Sequence, residues 1–94
     1  MKDLDEYTNF VHIKEGYCYY TIEPNKKPFI FGLFVEPEYR LHGFAKKLLD
    51  YVIDEIRNTG YIGLIEIEAK PKESFVNIQR LIAFYKSKGL EVIL

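Results

Sequence analysis

Apolar positions in this chain alternate with period two before residue 24 and recur every three or four residues after residue 43. Val11 and Ile13 alternate with His12 and Lys14, which predicts a strand over 10–15. Glu15-Gly16 marks a turn, and the aromatic and β-branched run over 17–23 predicts a second strand. Pro24 and Pro28 bracket a polar loop. Phe29–Val35 is apolar on both faces, so it is expected as a central strand covered on both sides. Gly32 inside that run signals a bulge or a close backbone approach.

Pro37 closes the central strand. Ala45, Leu48, Leu49, Val52, Ile53 and Ile56 then form one face of a helix over 43–58, with Gly60 as its stop. Residues 62–69 read as a strand, with Ile65 and Ile67 on one side and Glu66 and Glu68 on the other. After Pro71 a second helix is expected from about Ser74 to Lys88, its apolar face made by Ile78, Leu81, Ile82 and Tyr85. Gly89 suits its C-terminal stop, and 91–94 is a last short strand. The order β-β-β-α-β-α-β predicts an α/β fold of α+β-like character, a mixed sheet with helices packed on it. The third and fourth strands, joined through a helix, should run parallel with a right-handed crossover.

Length limits this picture. Ninety-four residues are expected to make a single domain, 1–94, with one small core. Eight tyrosines and seven phenylalanines supply that core with large rings. Thirteen basic against fourteen acidic residues give a net charge of −1, which is not the footprint of a nucleic-acid binder. The lone Cys18 excludes an intramolecular disulfide and points to a reducing compartment. The acidic start lacks the apolar stretch of a signal peptide, and no run is long enough to span a bilayer. A cytoplasmic location without membrane contact is the expectation. His12 and His42 lack metal-ligand spacing, so no metal is expected. Nucleotide loops and serine-nucleophile motifs are also missing.

The first helix opens oddly. Arg40-Leu41-His42-Gly43-Phe44-Ala45-Lys46-Lys47 offers no Ser, Thr, Asp or Asn as N-cap. It also puts Arg40, His42, Lys46 and Lys47 where the helix dipole prefers acids. A bound anion resolves both anomalies, because its oxygens accept the free amide hydrogens and its charge meets the basic side chains. Gly43 and Ala45 let the backbone approach it closely. The place, just past the carboxyl end of a central strand, is where open α/β sheets bind ligands. A solvated lysine face with a turn glycine is the plainer alternative.

The stretch Leu33-Phe34-Val35-Glu36-Pro37-Glu38-Tyr39-Arg40-Leu41-His42-Gly43-Phe44-Ala45 resembles the acetyl-CoA signature of the GNAT N-acetyltransferase superfamily. That signature is a strand ending in Val-x-Pro-x-Tyr-Arg, then x-x-Gly-x-(Gly or Ala) and an apolar helix. A second match is Leu81-Ile82-Ala83-Phe84-Tyr85-Lys86-Ser87-Lys88-Gly89-Leu90, similar to the family's late helix. The family's usual Asn and small residue ahead of the tyrosine are Ile78 and Leu81 here, and Asn77 reads instead as a helix-start residue paired with Ser74. The family also carries a strand and two helices ahead of residue 10 and a hairpin after the late helix. Those elements form much of its acceptor pocket.

The resemblance implies acetyl transfer from acetyl-CoA to a primary amine, the acceptor being a small molecule or a protein. Phe34 and Val35 would polarise the thioester carbonyl through their backbone. Arg40, Leu41, His42, Gly43, Phe44, Ala45 and Lys46 would hold the cofactor. Tyr85 would protonate the leaving thiolate, with a core tyrosine as the bland alternative. Glu68 is the base chosen from Glu36, Glu66 and Glu68. Cys18 as an acetyl carrier ranks lower, since a lone strand cysteine usually behaves as a small hydrophobe. A catalytically degenerate CoA-binding module is the second reading, and a nucleic-acid binder built on the basic loop the third. The outer strands suggest a homodimer that completes the sheet along its edges.

Overall fold

The computed structural model describes residues 6–69 and 77–93. Strands β1 (Thr8–Ile13), β2 (Gly16–Thr21) and β3 (Phe29–Val35) lead through a 3-10 turn at Pro37–Tyr39 into helix α1 (Phe44–Asn58). Strand β4 (Glu66–Glu68), helix α2 (Ile78–Ser87) and strand β5 (Glu91–Ile93) come next. The five strands form one mixed sheet in chain order. β1, β2 and β3 pair antiparallel, whereas β4 runs parallel to both β3 and β5. The order and the parallel crossover through α1 agree with the periodicity.

One row of the register shows where the core lies. Tyr20 pairs with Ile30, Ile30 with Ile67, and Ile67 with Val92. All four share a sheet face by strand alternation. Leu49, Val52 and Ile56 of α1 and Tyr85 of α2 close over that face, in one cluster with Cys18, Ile65 and Ala69. Both helices therefore pack on the same side. Each is ended by a left-handed glycine, Gly60 and Gly89. At α2 the amide of Leu90 reaches the Tyr85 carbonyl and that of Gly89 reaches Lys86, a Schellman stop that buries Leu90 beside Tyr85.

Expectation and structure part in four places. Among the described residues the outer face of β3 carries no helix: Phe29, Phe31 and Phe34 are half-buried against neighbouring rings, with the Arg40 guanidinium over Phe34. β4 is shorter than 62–69. The Arg57 guanidinium donates to the carbonyls of Tyr61 (3.1 Å) and Gly63 (2.8 Å), and the Tyr61 hydroxyl donates to Leu64 (2.6 Å). That turn leaves Ile62 and Leu64 exposed rather than paired. α2 begins at Ile78, where the extended Asn77 ends the approach and its side chain caps the amides of Gln79 and Arg80. Ser74, its expected partner, lies outside the described residues. Ile78, placed by spacing on the apolar face, is exposed because it stands in the first turn, ahead of the packed part of the helix.

Candidate active site

The site grows out of an irregularity in β3. Between the pairs Tyr17–Phe34 and Tyr19–Phe31, β3 holds one residue more than β2. Gly32 absorbs it with φ of 66°. A side chain there would also meet the Tyr19 ring, since a Cβ would lie 3.0 Å from Cδ2. Such a bulge bends and twists the strand. Its effect on pairing is plain: β3 and β4 are in register only at Phe29–Glu66 and Ile30–Ile67. Beyond Ile30 the two parallel strands separate. The β4-facing edge of β3 then has no strand partner among the described residues.

Three sets of predicted residues belong to this end of the sheet. The first is the end of β3. Arg40 Nε donates to the Val35 carbonyl at 2.8 Å, and its guanidinium lies 5.4 Å from the Phe34 ring centre. Arg40 thus ties the next loop back to the strand end. The second set is that loop itself. Leu41 and Gly43 are both left-handed, with φ of 66° and 85°. Gly43 is the N-cap of α1, no side chain caps the helix, and its first turn contains no acid. Alternation of left-handed residues at a helix start turns backbone N–H groups toward one point and makes an anion cradle. His42 is exposed, and Leu41 projects fully into solvent.

The third set is Tyr85 and Glu68. Tyr85 is 4% exposed and belongs to the core, so the structural role is real. Burial pushes its phenol well above the usual range, with smaller effects from Cys18 and Glu68. It makes no side-chain hydrogen bond among the described residues, where no fully enclosed polar atom lacks a partner either. Its hydroxyl is therefore not sealed off and remains a protonated donor. Glu68 ends β4 with its side chain on the opposite sheet face from Ile67, half-buried. Tyr85 and Glu68 thus approach the carboxyl end of β4 from opposite sides of the sheet.

Other candidates lie elsewhere. Lys46 turns its ammonium to Asp50, 2.9 Å away, and Lys88 of the α2 cap pairs with the same carboxylate. These two lysines hold Asp50 below its ordinary range. Only the backbone amide of Lys46 is left to face an anion. The Lys46–Asp50 spacing of four was readable in the sequence, whereas the Lys88 contact needed the fold. Glu66 sits at the far end of β4 near Lys27, which bonds Glu91 at 2.9 Å. Glu36 is exposed beyond β3. Cys18 is fully buried and burial raises its thiol to about 12, so it is held as a thiol rather than a nucleophile. A groove of about 560 Å³ between the 22–28 loop and Tyr61 lies at the opposite end of the sheet. Among the described residues no cluster of His, Cys, Asp and Glu suits a metal, and no helix is long and apolar enough to cross a membrane.

Comparison with known proteins fits this geometry. No curated protein sequence matches the chain. Among solved structures, the anti-CRISPR protein AcrVA5 is similar at 28% identity and a TM-score of 0.71, over 87% of this chain and 81% of that one. An integron cassette protein from the mobile metagenome of V. cholerae shares the fold at 24% identity and a TM-score of 0.55, over 84% of this chain and 48% of that one. The model of the Acetyltransferase (GNAT) family matches residues 3–90. With its split parallel strands, uncapped helix start and late-helix tyrosine, the chain belongs to the GNAT acetyltransferase family.

Proposed function

We propose that this protein is a single-domain, cytoplasmic N-acetyltransferase that moves an acetyl group from acetyl-CoA to a primary amine. The observation that carries the reading is the opening of β3 from β4 beside an uncapped, left-handed helix start. The backbone N–H groups of Leu41, His42, Gly43, Phe44, Ala45 and Lys46 would hold the pyrophosphate, while Arg40, whose own amide already donates to the Pro37 carbonyl at 3.3 Å, would brace the loop from the strand end. The unpaired edge of β3 near Phe34 and Val35 would polarise the thioester carbonyl. Glu68 would accept the amine proton, the amine nitrogen would bond to the acyl carbon, and the carbon–sulfur bond would break. Tyr85 would deliver its proton to the departing sulfur.

The neighbour at 28% identity is named an anti-CRISPR protein. That name supports a macromolecular acceptor, and an amine on a protein surface is the acceptor we propose. The test is release of CoA thiol from acetyl-CoA over a panel of amines and lysine peptides. Tyr85→Phe should lower turnover 10- to 1,000-fold while leaving CoA affinity within about twofold, as expected for a lost proton donor. Binding of CoA without thiol release by the wild type would instead establish a CoA-binding module.

A further inference from the structure

The two halves of the proposed site stand on different helices. The amide cradle opens α1, which packs on β2 and β3, whereas Tyr85 belongs to α2, which packs beside β5. Asp50 joins them. Its Oδ2 lies 2.9 Å from the Lys46 ammonium in the first turn of α1, and its Oδ1 pairs with Lys88, the C-cap of α2. Each carboxylate oxygen thus has its own lysine, a small network that fixes the carboxylate better than a single exposed pair would. Lys88 is the more enclosed end: its side chain is 18% exposed, against 64% for Lys46. The free carbonyls at the end of a helix also favour an ammonium there. The Lys88 amide donates to the Tyr85 carbonyl at 3.1 Å, and the Leu90 amide meets the same carbonyl at 3.3 Å. The bridge therefore runs from the cradle turn, through one carboxylate, to the residue that bonds the Tyr85 backbone.

We infer that Asp50 is a positioning residue for Tyr85: it holds the last turn of α2 against α1 and so sets the phenol relative to the amide cradle. The catalytic meaning rests on the proposed acetyl transfer, whereas the tie between the helices does not. Asp50 acts through Lys88 and not on the reacting atoms. It also draws the Lys46 ammonium away from the cradle, so its loss should not weaken CoA binding. Its loss should instead slow the step that the phenol serves, because a displaced proton donor costs rate rather than affinity.

Steady-state thiol release and amide hydrogen exchange by NMR, both on the full chain, test it together. Asp50→Asn should lower kcat about threefold and Asp50→Lys about tenfold, with KM for acetyl-CoA not raised. In a Tyr85→Phe background neither should lower kcat further, since the placement of a missing hydroxyl no longer matters. Exchange at Gly89 and Leu90 should quicken about twofold in Asp50→Asn, while Gly60, bonded to Arg57 at the far end of α1, keeps its rate. Should Asp50→Lys not fold, Asp50→Asn carries the test, because it removes one charge and little volume. Equal acceleration at Gly60, or none at Gly89 and Leu90, overturns the inference. So does a kcat that ignores both substitutions, or a loss that persists unchanged in the Tyr85→Phe background. A wild type that releases no thiol removes the transfer reading alone, and the exchange at Leu90 relative to Gly60 still decides whether Asp50 holds the end of α2.

Discussion

Gly32 shows how one residue shapes the site. The run Phe29–Val35 announced a strand, and its glycine announced an irregularity, but only the register reveals that an extra residue is stored there. Gly32→Ala should cost about 2–3 kcal/mol, because a left-handed alanine is strained and its Cβ meets the Tyr19 ring. A drop in melting temperature of roughly 10 °C or more would register it. Cys18 sits across from that bulge, and its side chain separates two readings. Held as a thiol by burial, it should resist aromatic disulfide reagents until the chain unfolds. Cys18→Ala should keep most of the thiol-release rate. A hundredfold loss with unchanged CoA affinity would make it an acetyl carrier after all. Its strand position already suggested a small buried hydrophobe, and packing between elements far apart in the chain does bury it fully.

Among elements, the helices were the most legible and their junction the least. Spacing of Leu48, Leu49, Val52 and Ile56 identifies the α1 face that is in fact buried. The α2 start is set by Asn77, whose side chain accepts from two amides at 2.9 and 3.1 Å. Asn77→Ala should therefore cost about 1 kcal/mol of unfolding free energy, read by urea denaturation. The contact that ties the helices, Asp50 between Lys46 and Lys88, was invisible because Lys88 lies far along the chain. Its pH dependence has a definite sign. The Asp50 carboxyl is lowered below its ordinary 3.8, so its contribution is full above that value and is lost as pH falls through the depressed one. With a side chain 42% exposed, the contribution is a few tenths of a kcal/mol after screening. Wild type and Asp50→Asn should differ by that amount at pH 6 and converge below pH 3.

For the whole molecule, the sequence made legible the chain order of elements, the parallel crossover and the two outer strands. It did not yield the side that no described helix covers. Strand periodicity marks two faces without saying which one the helices choose. In Phe29–Val35 both faces are apolar, so burial on both was the natural expectation. The open aromatic face is the physical reason that expectation failed. A last consequence concerns the Schellman stop at the end of α2. It seats Tyr85 from the C-terminal side, through Leu90 and the start of β5. The tyrosine's position is thus indexed to β5, whose own place is fixed by pairing with β4. The short span from Tyr85 to Glu91 works as a gauge block: one residue added or removed there would carry the phenol off its mark while leaving every helix and strand intact. The length of that span, and no side-chain hydrogen bond from the phenol itself, is what holds the ring in place.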